Sequence, residues 1–151
     1  FTDLTVLENL TLAVQAPKHF ASGVAAPVWS LDKVFALFPN LANMQHRLAS
    51  HMSGGEQQML SIGRALMTNP DLLLLDEATE GLAPLIAQDI WRICDLIAKS
   101  GISTVIVDKN WQHVTRITQR NLILVKGEVE FEGSSASLLE QPELLNQHLG
   151  V

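Results

Sequence analysis

Two short segments of this 151-residue chain carry residue types that could hold a phosphate chain and a divalent cation. The first reads Met52-Ser53-Gly54-Gly55-Glu56, and Ser53 and Glu56 have the spacing of a capping box at a helix start. The N–H groups of a first helical turn lack intrahelical partners, and glycines let an anion approach them closely. The segment predicts either a phosphate contact or a simple helix cap, and its composition alone favours the cap.

The second segment, residues 72–77, reads Leu-Leu-Leu-Leu-Asp-Glu. A short apolar run that ends in two carboxylates is typical of a strand buried on both faces of a parallel sheet. Asp76 could bind Mg²⁺, because this cation takes oxygen ligands and keeps several of its waters. Glu77 could orient an attacking water and accept its proton. The alternative is a strand followed by a solvated acidic turn, and the segment by itself leaves both readings open.

The surrounding apolar periodicity predicts the elements that would position these segments. Pro84 and Gly101 bracket a helix over 84–100 with an apolar stripe of Ile86, Ile90, Ile93 and Ile97. Asn69-Pro70 ends the helix before it, and the β-branched residues 102–107 predict a second buried strand. Strand, helix and strand in this order form a βαβ unit with parallel strands. The other expected elements are helices over 1–16, 30–38 and 54–67, a loop over 17–29, a short helix over 110–119, two strands around Gly127, and short helices after Ser135 interrupted by Pro142.

The composition excludes several classes of protein. Ten basic and sixteen acidic residues give a net charge of −6, which disfavours nucleic-acid binding. A single cysteine excludes a disulfide scaffold. No apolar run approaches the ~20 residues that a membrane-spanning helix needs.

Taken in order, several motifs of this chain resemble the ATP-binding-cassette (ABC) ATPases. They are the run from Met52 to Leu66, which includes Gly63-Arg64-Ala65-Leu66, and the run from Leu72 to Pro84. Gly81-Leu82-Ala83-Pro84 is most similar to the subunits that drive branched-chain amino acid import. The resemblance extends over the whole chain and implies an α/β fold, a partial P-loop NTPase parallel sheet with a helical subdomain. It implies a helical signature subdomain over 1–68 and the C-terminal part of the ATPase core over 69–151.

The resemblance also implies roles for individual residues. In such proteins two cassettes associate head to tail, and the signature segment of one caps the ATP held by the other. Residues Ser53, Gly54, Gly55 and Glu56 would form that ATP-binding segment. Asp76 would hold Mg²⁺ and Glu77 would be the general base, while residues 80–84 would touch the opposite cassette.

Lys109 departs from the family pattern. It stands where many cassettes carry a switch histidine and where the importer subgroup usually has glutamine. A lysine can reach a γ-phosphate as a donor, but it cannot alternate between donor and acceptor as a neutral histidine can. The resemblance therefore implies a catalytic Lys109 with slowed or differently gated hydrolysis. The alternative is an ordinary solvent-facing lysine in a loop.

The chain contains no Gly-x-x-x-x-Gly-Lys-Ser/Thr sequence, the phosphate loop that supplies most phosphate affinity in this family. It begins with Phe1, and it resembles the larger C-terminal part of a cassette, with the phosphate-loop strand absent. In the family that strand lies between those matching 102–107 and 121–126. We therefore expect exposed strand edges that are closed by direct pairing or by self-association.

For the complete protein, the resemblance implies an ATPase subunit that couples ATP hydrolysis to import of branched-chain or related amino acids. Its partners would be a second ATPase subunit, membrane permease subunits and, indirectly, a periplasmic solute-binding protein, with no nucleic acid. It would lie in the cytoplasm on the inner face of the membrane. One alternative is a catalytically inert module that supplies only the signature half-site. Another is a non-transport cassette, which the acidic charge and Gly81-Leu82-Ala83-Pro84 disfavour.

Overall fold

The computed structural model describes residues 1–15 and 28–149. The predicted loop over 17–29 falls mostly on 16–27, outside the described residues. The elements, in order, are α1 (Val6–Leu12), α2 (Leu31–Leu37), α3 (Pro39–Asn43), a 3₁₀ turn (Ala49–His51), α4 (Gly54–Met67), β1 (Leu72–Asp76), α5 (Pro84–Lys99), β2 (Ser103–Val107), α6 (Trp111–Ile117), β3 (Arg120–Val125), β4 (Glu128–Ser134), α7 (Ser135–Leu139) and α8 (Pro142–Leu149).

The chain divides into two compact units, residues 1–105 and 106–151. The predicted functional division at residue 68 concerns the complete cassette and stays a prediction. In the first unit, helices α1, α2 and α3 all pack against α4. Gly63 makes this close approach feasible, because a Cβ there would lie 3.1 Å from both Leu10 and Val34.

Helix α1 is shorter than the sequence predicted. It begins at Val6 because Thr5 caps it in a capping box with Glu8, and it ends at Leu12. The buried Asn9 side chain donates to the carbonyl oxygens of Phe1 (3.0 Å), Leu4 (3.2 Å) and Thr5 (3.0 Å). These bonds hold the first residues in a turn rather than in a helix.

The βαβ unit is confirmed, since β1 and β2 are neighbours in one parallel sheet joined by α5. The apolar stripe of α5 is buried at Ile90, Ile93 and Ile97, and Gly101 follows the helix with φ +94°. This left-handed conformation ends helices and favours glycine.

The prediction that both strands are buried on both faces was wrong. In β1, Leu73 and Leu75 are buried, whereas Leu72 and Leu74 are exposed. Strand β2 alternates between exposed and half-buried residues. Within the part of the chain that the structure describes, one face of β1 is therefore buried and its other apolar face is exposed to solvent.

In the second unit, β3 and β4 form the predicted hairpin. They pair antiparallel, with Val125 opposite Glu128 across a two-residue turn. Lys126 and Gly127 both have positive φ, 51° and 88°, as a tight hairpin turn requires. Direct pairing of β2 with β3, one of the two expected ways to close the strand edges, is wrong, because the two strands belong to separate two-stranded sheets.

Candidate functional site

The start of α4 carries the predicted capping box. Ser53 donates from its backbone N–H (2.7 Å) and its hydroxyl (2.9 Å) to Glu56 Oε2, and the Glu56 N–H donates to Ser53 Oγ (3.4 Å). The Gln57 N–H donates to the Ser53 carbonyl oxygen (2.9 Å). The first-turn N–H groups without an intrahelical acceptor are therefore those of Gly54 and Gly55.

The two glycines differ in their surroundings. Gly54 is exposed, and a Cβ there would lie 4.0 Å from Leu82 Cδ2. Gly55 is buried, and a Cβ there would lie 2.5 Å from Ile86 Cγ2. Gly54 thus presents its backbone to solvent, while Gly55 is also a close packing point between α4 and α5.

Glu56 contributes to this segment differently from the glycines. Its carboxylate accepts both Ser53 donors, so in this geometry it fixes the helix start and occupies the Ser53 hydroxyl. A negative charge in the first turn stabilises the helix dipole, whereas it repels a second anion. Its part in ATP binding therefore stays a prediction, and its geometry is that of a capping group.

The two predicted carboxylates lie together at the carboxyl end of β1. Asp76 is the last residue of the strand, Glu77 follows it directly, and both are exposed. Glu77 has φ +47°, which costs an L-residue roughly 1–2 kcal/mol. The Glu80 N–H donates to the Glu77 carbonyl oxygen (3.1 Å), so the chain turns sharply here. Backbone strain of this kind clusters at functional sites.

Lys109 lies in the second unit and is exposed. The turn that carries it is ordered by Asp108, whose carboxylate accepts the Asn110 N–H (2.8 Å). The Trp111 N–H donates to the Lys109 carbonyl oxygen (3.0 Å), which leads the chain into α6. The structure therefore places Asp76, Glu77 and the start of α4 in one unit and Lys109 in the other.

The residues present fit ATP with Mg²⁺. Asp76 offers a hard oxygen ligand in a solvent-accessible position, and Mg²⁺ in nucleotide sites takes one or two carboxylates together with waters and phosphate oxygens. Within residues 1–15 and 28–149 no group of three or more His, Cys, Asp or Glu side chains forms a metal cage. Asp76 would hold the cation from one side, and the N–H groups of Gly54 and Gly55 would contact a terminal phosphate.

Sequence reasoning missed one contact in this region. Ile86 was predicted to lie on the apolar stripe of α5, but it is half-buried and packs on Gly55. The two residues are far apart in sequence, and no local pattern joins them.

A parallel βαβ unit whose first strand ends in two carboxylates, together with a glycine-rich capped helix start, defines a cassette-type nucleotide-binding α/β protein. Solved structures support this class. The ADP conformation of an ATP-binding cassette of an ABC transporter superposes with a TM-score of 0.69 and 28% identity, over 99% of this chain and 64% of that chain.

The chain belongs to the ABC transporter family, because residues 1–80 match the family model described as "ABC transporter". It is 39% identical over 150 residues to the high-affinity branched-chain amino acid transport ATP-binding protein BraG of Pseudomonas aeruginosa. It is 32% identical over 152 residues to the probable branched-chain amino acid transport ATP-binding protein LivF of Archaeoglobus fulgidus.

The chain spans only part of these relatives. The two matches cover 99% and 100% of this chain, but 62% of each relative. Among the described residues, no helix combines the length and the apolar character that crossing a membrane requires.

Proposed function

We propose that this chain is part of the ATPase subunit of an ABC importer, which couples ATP hydrolysis to uptake of branched-chain or related amino acids. The observation that carries this proposal is the 39% identity to BraG across 99% of the chain. The pair Asp76 and Glu77 at the end of β1 supplies the chemistry that such an activity needs.

Each site residue then has a definite task. The N–H groups of Gly54 and Gly55 contact the γ-phosphate of ATP bound mainly to a second cassette. Ser53 joins them when its hydroxyl exchanges its Glu56 acceptor for a phosphate oxygen. At the ATP held by this chain's own cassette, bound Mg²⁺ would neutralise charge that develops on the phosphate oxygens. Asp76 holds that cation. Glu77 accepts a proton from the attacking water at its carboxylate, while Lys109 donates to the phosphate chain.

The partners follow from the family, whose ATPases work as dimers with membrane permease subunits. We propose that the complete protein lies on the cytoplasmic face of the membrane, bound to a permease, and that a periplasmic solute-binding protein supplies the amino acid. The net charge of −6 disfavours a nucleic-acid partner.

Uptake of labelled leucine, isoleucine and valine in the source cells tests the function. Replacing Glu77→Gln in the chromosomal copy removes the general base but keeps the size of the side chain. We expect uptake of at least one of the three amino acids to fall by ten-fold or more, while uptake of an unrelated solute stays unchanged. Unchanged uptake of all three would exclude a branched-chain substrate and redirect the assay to urea and short amides.

The activity of the 151-residue polypeptide by itself is a separate proposal. Because it contains no Gly-x-x-x-x-Gly-Lys-Ser/Thr sequence, we propose that it does not hydrolyse ATP alone and supplies only the signature half-site and the two carboxylates. Steady ATP turnover by the purified chain, abolished by Glu77→Gln, would contradict this proposal.

A further inference from the structure

The first turns of α4 and α5 approach each other closely at Gly55 and Ile86. A Cβ at position 55 would lie 2.5 Å from Ile86 Cγ2, 3.5 Å from Ile86 Cβ and 3.6 Å from Ile86 Cγ1. Real Cβ atoms do not approach another carbon to 2.5 Å, so any residue other than glycine at 55 would force the Ile86 side chain, or the two helices themselves, to move. The requirement for glycine here comes from Ile86, before any ligand is considered.

The neighbouring Gly54 has no such restriction. A Cβ at position 54 would meet Leu82 Cδ2 at 4.0 Å, which is ordinary van der Waals contact. Leu82 lies in the turn between β1 and α5. The glycine pair therefore faces the residues that follow Glu77, with room for a side chain at position 54 and none at position 55.

We propose that Ile86 is a positioning residue, which holds the phosphate-contacting start of α4 against the segment that follows Glu77. The inference rests on the proposed function, since it assigns Ile86 a part in the same ATP site. The Ile86 side chain has no polar atom that could bind phosphate or the attacking water, so it acts through the backbone at Gly55.

Two features make Ile86 suited to this task. Pro84 begins α5 with a fixed φ, and Ile86 follows in the same first turn. A β-branched side chain in a helix has one strongly preferred χ1 rotamer, so the direction of Cγ2 is set by the helix backbone. Since packed helices resist deformation, a displacement of the α4 start would be passed to α5 and to the turn before it.

A double-mutant cycle in the 151-residue chain tests the contact. Gly55→Ala should lower the melting temperature by several degrees, as expected for a core clash in a domain of this size. In the Ile86→Ala background the same change should have little effect, because Ile86 Cγ2 is gone and the next atom, Cβ, lies at 3.5 Å. Gly54→Ala is the matched control for the added methyl group and should leave the melting temperature within about a degree. Additive effects of Gly55→Ala and Ile86→Ala would overturn the proposal.

The same double-mutant cycle in the complete cassette distinguishes a positioning role of Ile86 in ATP hydrolysis from a role in stability alone. Ile86→Ala should lower kcat for ATP hydrolysis about ten-fold with KM changed less than two-fold, because the nucleotide is held mainly by the other cassette. Gly55→Ala should lower kcat for ATP hydrolysis only when Ile86 is present. An equal loss of kcat from Gly55→Ala in both backgrounds would mean that the nucleotide, not Ile86, excludes the methyl group. If the parent shows no turnover, the proposed function fails, and the melting temperatures still decide whether Ile86 sets the glycine requirement.

Discussion

Glu77 combines the predicted general base with a left-handed backbone, φ +47°. Replacing it by glycine and by alanine removes the carboxylate equally, but only alanine keeps the Cβ that makes this conformation costly. We expect Glu77→Gly to be more stable than Glu77→Ala by about 1 kcal/mol. Urea unfolding of the two variants measures the difference.

Gly81 provides the control for this comparison, because it has φ +70° in the same turn with open space around it. Gly81→Ala should lose about the same free energy of unfolding that separates the two Glu77 variants. Equal stability of Glu77→Gly and Glu77→Ala would show that the strain at residue 77 is relaxed in solution.

We propose that Lys109 occupies the position at which the family places a switch side chain that can both donate and accept. An ammonium group only donates, so it can hold a phosphate but cannot accept a proton in exchange. We expect Lys109→Gln in the complete protein to raise kcat for ATP hydrolysis several-fold. Steady-state ATP turnover measures this, with Lys126→Gln, in the exposed hairpin turn, as the control for loss of one positive charge. Unchanged turnover in Lys109→Gln would mean that Lys109 is a solvated loop residue.

At the residue scale, the sequence predicted the contacts between residues that lie close together in the chain. Ser53 and Glu56 are three residues apart, and their capping box follows from that spacing alone. The contact of Gly55 with Ile86 joins two helices across 31 positions, and it depends on how α4 and α5 pack. No periodicity records such a contact, which is why Ile86 was assigned only to an apolar stripe.

At the scale of elements, α1 shows how a cap couples helix stability to pH. Hydrogen bonds from the backbone and then from the side chain of Thr5 lower the pKa of Glu8 from its usual value near 4.5. The backbone N–H lies 2.8 Å and the hydroxyl 2.7 Å from Glu8 Oε2. Because the folded pKa is below the unfolded one, the stabilisation is complete above the unfolded pKa and is lost as pH falls through the folded value.

We therefore expect the free energy of unfolding to fall between about pH 5 and pH 3, with a part of that fall due to Glu8. Glu8→Gln keeps an oxygen acceptor for Thr5 but cannot titrate, so its pH dependence over this range should be shallower. Urea unfolding at a series of pH values measures both curves. Parallel curves would show that the Thr5 bonds do not discriminate between charged and neutral Glu8.

Between elements, the buried Asn69 joins segments that the sequence could not place together. It adopts φ +49° after α4. Its Oδ1 accepts the Trp29 N–H (2.6 Å), and its Nδ2 donates to the Gln15 carbonyl oxygen (2.8 Å). One side chain thus links the backbone at Gln15 to the backbone at Trp29. The sequence showed Asn69-Pro70 only as a helix stop, because the partners lie 54 and 40 positions away.

At the scale of the whole molecule, the first unit leaves an apolar sheet face in solvent. Leu72 and Leu74 on β1 are 51% and 66% exposed, and Val105 on β2 is 46% exposed. From the sequence we predicted that both strands are fully buried, because apolar runs in parallel sheets are normally covered on both faces. Composition predicts that a face will be covered, but it does not say whether the covering elements belong to the same chain.

Self-association, the second expected way to close the strand edges, stays a prediction, and we expect it to cover this exposed face as well. Burying the exposed parts of three such side chains is worth about 3 kcal/mol per copy, or about 6 kcal/mol for two copies. Association itself costs at least about 4 kcal/mol, so we expect a weak dimer that forms only at roughly millimolar concentrations. Sedimentation velocity across that concentration range should show a monomer–dimer equilibrium. Leu74→Lys should shift it to monomer, because a charge cannot be buried in that face without large cost.

Leu12→Lys is the matched control for Leu74→Lys, since Leu12 is 67% exposed but lies on α1, away from the sheet. It should leave the association unchanged. A chain that stays monomeric at 1 mM would show that the β1–β2 face tolerates water, and equal effects of both lysines would place the interface elsewhere. Association lost only in Leu74→Lys would identify this face as the surface that the complete cassette must cover, because the same leucines that drive two copies together would otherwise be left in solvent.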